Sequence, residues 1–388
     1  MAVIDWAKEA ANIADTSGLF GDLERVLDTK KALKSVLTEK PIVQYDSDKP
    51  SKEDKIIVNG LEDADALANK IKELSTEQYH IFKVMESHTS LEFEFSSWEE
   101  LIIHLDVRLF TIKRIIQLEN AWKGQVNPIA NYPIDIPGQD NFNLPADFWQ
   151  YMPVPGSDGF VTIKNVKVDE AIESIMQVDS TTILDCNRMS VVIAYTALQD
   201  AVGKVNIRKL FAPQNWITLG EWHVKYKMFG KISLLSSNFF KAELLYEGTF
   251  SDSTIDLCIP GDVIYFRNDL SYKNMLNLLR NSHKTDEIMS DARYDLAWTG
   301  EYCICTAPDK FSGFGLREDN QIEFSSEEIR NKLLRKAVDL YDLLKEKAPV
   351  IWKEMLAQKI AKPIFDNVII INPCYRVNTS AIIEKIGK

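Results

Sequence analysis

Ile183-Leu184-Asp185-Cys186 is the stretch on which the reading of the chain turns. It runs directly into Asn187-Arg188-Met189-Ser190-Val191-Val192-Ile193-Ala194-Tyr195-Thr196, where Met189, Val192, Ile193 and Thr196 recur at helical spacing. That spacing predicts a helix from Cys186 through Gln199 with one buried stripe. A cysteine in the first turn stands among backbone N–H groups with no partner inside the helix, at the positive end of its dipole. Such a position stabilises a thiolate and makes a nucleophile near neutral pH. A small packed core residue is the other reading of a cysteine placed there.

Working outward, a nucleophile also needs a proton acceptor on a neighbouring element. In papain-like folds a cysteine opens a helix and later strands bring in the base. Here Pro260-Gly261-Asp262 is a turn, and Val263-Ile264-Tyr265-Phe266 is the first strong strand after the helix. The next begins at Glu301 and runs through Tyr302-Cys303-Ile304-Cys305, so the order makes Glu301 the partner. Pro308-Asp309-Lys310 turns the chain back, Ser325 or Ser326 caps a further helix, residues 337–360 read as helical, and Val368 to Ile371 reads as a buried strand. Upstream, Ser97 and Glu100 form a capping-box pattern. Ile102, Leu105, Leu109, Ile112 and Ile116 follow as a buried stripe on a long helix ending near Gly124. An aromatic hairpin is predicted from Phe148 to Ile163, turning at Gly156-Ser157-Asp158-Gly159, and Asp169 is placed to cap a short helix. Helices and strands mix without regular alternation. The fold class is therefore α+β, an antiparallel sheet packed on helices.

The composition excludes several classes. The chain has 388 residues and a formal net charge of −12, with 45% apolar and 26% charged residues. There is ample apolar surface to bury, so disorder is not the dominant state. No stretch approaches the roughly 20 apolar residues of a spanning helix. The acidic balance argues against a general nucleic-acid partner, since phosphate contacts need clustered Lys and Arg. The start, Met-Ala-Val-Ile-Asp-Trp, lacks the basic and apolar regions of a signal peptide, so a cytoplasmic location is expected. Delivery by a dedicated route, or release on lysis, would leave no such mark. Five cysteines at low density do not suggest a disulfide framework. Cys258, Cys303, Cys305 and Cys374 lie in apolar runs and read as core, with Cys303 and Cys305 sharing one strand face. The five histidines include no i, i+4 pair, and no metal site is expected.

A set of motifs in order resembles the bacterial spore-coat transglutaminase family, whose core is similar to the NlpC-type branch of papain-like proteins. The motifs are Phe95-Ser96-Ser97-Trp98-Glu99-Glu100-Leu101 with Leu105, Arg108 and Ile112; the Trp149 hairpin; Ala171-Ile172; Asp185-Cys186; and Trp222-His223. They continue as Pro260-Gly261-Asp262-Val263-Ile264-Tyr265-Phe266-Arg267-Asn268, Trp298-Thr299-Gly300-Glu301, Phe311-Ser312-Gly313-Phe314-Gly315 and Val368 to Arg376. The resemblance implies a papain-like (NlpC-type) core and protein-glutamine gamma-glutamyl transfer. Cys186 would form a thioester with a protein glutamine, and a lysine of a protein would resolve it into an isopeptide cross-link. Glu301 would move the protons. Asp185 would be a second acid at a position where the family prefers glutamate. Trp222, Tyr265 and Trp298 would line a dry tunnel that limits competing water. No cofactor is implied. Phe314 stands where the family has a histidine. Residues 1–88 are expected to be a helical extension and residues 89–388 the catalytic domain, with inserts near 230–257 and 340–361. Two other readings remain open: a glutamine deamidase or cysteine peptidase with the same dyad, and a non-catalytic scaffold that keeps the fold.

Overall fold

In the computed structural model the expected helix begins at Cys186 and runs to Phe211, interrupted at Gly203, whose φ of 80° is non-helical. The structure describes residues 56–61, 63–87, 93–121, 145–154, 157–162, 166–176, 186–212, 217–219, 234, 237–243, 258–281, 300–313, 316 and 321–387. Glycine tolerates positive φ without a Cβ penalty. The chain bends there and continues as helix, because Ile207, Leu210 and Phe211 still face the core. This is why the helix outlasts the predicted end at Gln199.

The elements run in order β1 (Ile56–Val58), α1 (Ala64–Ile71), α2 (Thr76–Ser87), β2 (Phe93–Phe95) and α3 (Trp98–Ala121). Next come β3 (Trp149–Val154), β4 (Ser157–Thr162), α4 (Val168–Met176), α5 (Cys186–Phe211), β5 (Thr218–Leu219) and β6 (Phe240–Glu243). The C-terminal half holds β7 (Val263–Arg267), α6 (Leu270–Asn281), β8 (Gly300–Ala307), β9 (Lys310–Gly313), α7 (Ser326–Lys347), α8 (Pro349–Ala357), β10 (Ile369–Val377) and α9 (Thr379–Gly387).

The main sheet has five strands in the order β6-β10-β7-β8-β9, each neighbouring pair antiparallel. This is the expected α+β arrangement. One face of the sheet packs on α5 and α3. Val263, Ile304, Tyr375 and Val377 share a core there with Val192, Tyr195 and Ile115. The opposite face, with Ile264, Phe266, Cys303, Cys305 and Ile370, packs on Ile329 and Leu333 of α7. Burying one such aliphatic or aromatic side chain contributes about 1.5–3 kcal/mol, so these two cores are the main stabilising terms. Ser325 caps α7 with a complete capping box to Glu328, as the serine pair predicted. The stretch expected to be helical over 337–360 is formed by the end of α7 and by α8, which Pro349 opens.

Several local expectations shift by a residue or more. Ser97 Oγ accepts from Glu100 N, but the Glu100 carboxylate turns to Ser96 N and Oγ and to Ser380 Oγ, tying α3 to α9. Val154 pairs with Ser157, so β4 begins where the turn was expected. Asp169 does not open its helix; it lies in the first turn of α4 and binds Arg208. The described part of the N-terminal segment is not wholly helical, since β1 pairs in parallel with β2. Ile56, Val58, Phe82 and Met85 pack there on Leu101 and Leu105 of α3. Residues 1–55, the first part of the expected helical extension, lie outside the described residues.

The Pro-Gly-Asp turn before β7 is held by charge. Asp262 is fully buried, its Oδ1 accepting from Arg108 Nη1 and its Oδ2 from Arg376 Nε and Ile259 N. Burial pushes its carboxyl up, but the Arg376 and Arg108 guanidiniums outweigh this and hold it below the ordinary range. Gly261, at φ 91°, lets the turn approach α3: a Cβ there would fall 2.8 Å from Arg108 Cα. Three of the motifs behind the family resemblance thus act in folding, joining α3, β7 and β10.

Candidate active site

Cys186 is the first residue of α5 and is partly exposed, whereas Cys258, Cys303, Cys305 and Cys374 are buried. The four core assignments match the structure. Burial raises the thiols of Cys258, Cys303 and Cys305 well above the ordinary range, with nearby Cys305, Glu301 and Asp262 adding to the respective shifts.

Glu301 is the second residue of β8 and is buried. Its position follows from register: it pairs with Phe266, and Cys303 pairs with Gly313. Side chains alternate along a strand. A Cβ on Gly313 would come within 2.8 Å of Cys303 Sγ and 2.9 Å of Glu301 Cγ. The Glu301 side chain therefore leaves β8 on the Cys303 face, while Tyr302 and Ile304 turn toward the α5 core. Order along the chain had suggested Glu301; only the pleat reveals which way it points.

Charge nevertheless gathers at this end of the sheet. After burial, the groups that raise the Cys303 thiol are Glu301, Cys186 and Glu119. Ionisable side chains from three elements thus act on one buried sulfur. Glu119 was not singled out from sequence; its only signal was a carboxylate on the apolar Ile115-Ile116-Leu118 side of α3.

Tyr265 of β7 stacks on Tyr302 with ring centroids 4.6 Å apart. A Cβ on Gly300 would overlap the Tyr265 phenol and the Phe266 carbonyl, so this glycine is required beside Glu301. Arg267 pairs with Gly300, and Arg188 is buried in the first turn of α5. Asp185, Trp222, Trp298 and Phe314 lie outside the described residues. Among the described residues no group of three or more His, Cys, Asp or Glu could hold a metal ion. Also among them, no helix is long and apolar enough to cross a membrane.

The sequence model of the protein-glutamine gamma-glutamyltransferase family matches residues 55–275, more than half of the chain. The chain belongs to this family. The match begins ahead of the expected boundary at residue 89, takes in Cys186 and ends before Glu301. No curated protein matches the chain. Among solved structures it is similar to a transglutaminase from Geobacillus stearothermophilus without its C-terminal extension, at 15% identity and a TM-score of 0.41. That likeness covers 74% of this chain and 97% of the other. Within this transglutaminase-family chain, the cysteine that opens the central helix is the one described thiol with access to solvent.

Proposed function

We propose that the chain is an acyltransferase that joins glutamine and lysine side chains of proteins through a thioester on Cys186. The observation that carries this reading is Cys186 itself: partly exposed at the start of α5 and inside the region matched by the family, with its thiol and the Glu301 carboxylate both acting on the buried Cys303. Helix-terminal N–H groups favour the thiolate. Cys186 Sγ attacks the glutamine carboxamide carbon, Glu301 takes the thiol proton and returns it to the departing nitrogen, and ammonia leaves. A lysine amine then attacks the thioester carbon, its proton passing through Glu301 to the sulfur as the isopeptide bond forms. Positioned acid–base groups of this kind contribute about 10²–10⁴-fold. Asp185 is the second acid in this scheme, and Trp222, Tyr265 and Trp298 form the wall that limits water. Residues 89–388 carry the reaction, and residues 1–88 are an extension whose described part packs on α3.

Phe314, standing where the family has a histidine, supports a second outcome in which water resolves the thioester and glutamine becomes glutamate. One experiment separates the readings. A glutamine-rich acceptor protein is incubated with the chain and a labelled primary amine, with Cys186→Ala alongside, and read by intact mass spectrometry. Amine addition that needs Cys186 supports transfer. Cys186-dependent deamidation without addition supports hydrolysis. An acceptor left unchanged by the wild-type chain sinks both.

A further inference from the structure

We propose that Lys332 of α7 is a positioning residue for Glu301, acting through Leu316 beyond the end of β9; this deepens the transferase reading, in which Glu301 carries protons, and rests on it. Lys332 is 9% exposed, and its neighbours Leu316 and Phe324 are each 1% exposed. Burying an ammonium is costly unless it is paired or hydrogen-bonded. Here Nζ donates to the Leu316 carbonyl at 2.6 Å. It also stands 3.7 Å from the centre of the Phe324 ring, a cation–π contact. Both partners border β9. Phe324 exchanges two backbone hydrogen bonds of 2.9 Å with Phe311 of that strand. Leu316 N donates back to Gly313 O at 3.0 Å, which folds Leu316 over the end of β9.

The grip reaches Glu301 at Gly313. A Cβ there would lie 2.9 Å from Leu316 Cδ1, 2.9 Å from Glu301 Cγ and 2.8 Å from Cys303 Sγ. The Leu316 side chain and the Glu301 stem therefore meet across the space that Gly313 leaves open. The contact is to a methylene, so it holds the stem from which the carboxylate extends. Leu333, next to Lys332 on α7, packs in one core with Cys303, Leu316 and Phe324. That core would seat α7 on the sheet with an apolar residue at position 332 as well. What the ammonium adds is a directed bond to one carbonyl, the one whose side chain backs Glu301. Reacting groups lose rate steeply when displaced, up to about 10²-fold for about 1 Å. Without the Lys332 bond Leu316 can withdraw, and the Glu301 stem gains that room.

The test is a double-mutant cycle on the full chain with Lys332→Met, Leu316→Ala and the pair. It reads kcat and KM for amine incorporation, with urea midpoints alongside. Lys332→Met keeps an unbranched side chain and removes the ammonium. It lowers kcat about ten- to a hundredfold and leaves KM close to wild type. The pair falls little further than either variant alone, because both act on the same stem. Losses in kcat that multiply in the pair overturn the proposal, as does a Lys332→Met chain that loses stability alone. The placement of Glu301 is also read without turnover, from its carboxyl-carbon NMR signal in a chain labelled at the glutamate carboxyls and assigned through Glu301→Gln. That signal shifts in Lys332→Met; an unmoved signal overturns the proposal. If Lys332→Met does not fold, Leu316→Ala decides, since the link passes through that side chain: a shifted Glu301 signal supports the proposal and an unmoved one overturns it. Wild type that transfers no amine refutes the transferase reading, while the Glu301 signal still decides whether Lys332 positions it.

Discussion

Gly313 of β9 lies against Glu301 of β8 so closely that a Cβ at Gly313 would come within 2.9 Å of Glu301 Cγ and 2.8 Å of Cys303 Sγ. The edge strand thus fixes the buried carboxylate by leaving out a side chain. Gly313→Ala would force both neighbours to move, and overpacking of this kind costs about 1–3 kcal/mol. The expected result is a lower urea midpoint together with reduced amine incorporation. An unchanged midpoint would show that the Glu301 pocket has room to spare.

Glu301→Gln keeps the size of the side chain and removes the base. Under the proposed mechanism kcat for amine incorporation falls about 10²–10⁴-fold while the urea midpoint stays close to wild type. Full activity in this variant would remove Glu301 from the reaction.

Cys186 is the partly exposed thiol among four that are buried, three of them with proton affinities raised by burial. Brief treatment of the native chain with iodoacetamide should modify Cys186 and spare Cys258, Cys303, Cys305 and Cys374. Equal labelling of Cys303, read by peptide mass spectrometry, would contradict the buried position given to it.

The Asp262 network should set stability without touching the chemistry. Asp262→Asn leaves Arg108 and Arg376 without their shared carboxylate, and breaking a buried pair by removing one partner costs about 3–5 kcal/mol. Urea denaturation would read this directly. A loss well under 1 kcal/mol would mean the guanidiniums find other partners.

His104 makes stability depend on pH. Its Nε2 accepts from Arg108 Nε at 2.7 Å, so the neutral ring carries its proton on Nδ1, facing Thr379 Oγ1. Burial, then the Arg108 and Arg376 charges, hold its pKa well below 6.5. The unfolded chain takes up this proton near pH 6.5, and the folded chain only at much lower pH. Stability from the neutral ring is therefore full above about pH 6.5 and declines as pH falls below it, by up to about 1.4 kcal/mol per pH unit. His80 shifts the same way, chiefly through burial. Asp262 and Glu100, both lowered, give way only near and below the ordinary carboxylate range. Urea midpoints should drop between pH 7.5 and 5.5 in wild type and less in His104→Gln. Equal midpoints in wild type would place His104 in contact with water.

Much of this molecule was legible in the residue pattern. The stripe after Cys186, the β7 and β8 runs and the Ser325 cap are local signals, written in side-chain period and capping chemistry, and each formed where it was read. The buried state of four cysteines followed from their apolar runs. What the pattern missed depends on pairing between distant segments. The extension of α5 past Gly203 needed partners for Ile207 and Phe211, and the short β1–β2 pair needed α3 beneath it.

The sequence by itself determined the stripe that follows Cys186, the extended runs of β7 and β8 and the Ser325 cap, because those properties depend on neighbours within a few positions. Only the tertiary structure decided that Glu301 shares a strand face with Cys303 and lies against Gly313, because strand register fixes which face a side chain leaves and what it meets there. It alone brought Asp262 between Arg108 of α3 and Arg376 of β10, since no local pattern joins three elements so far apart in sequence.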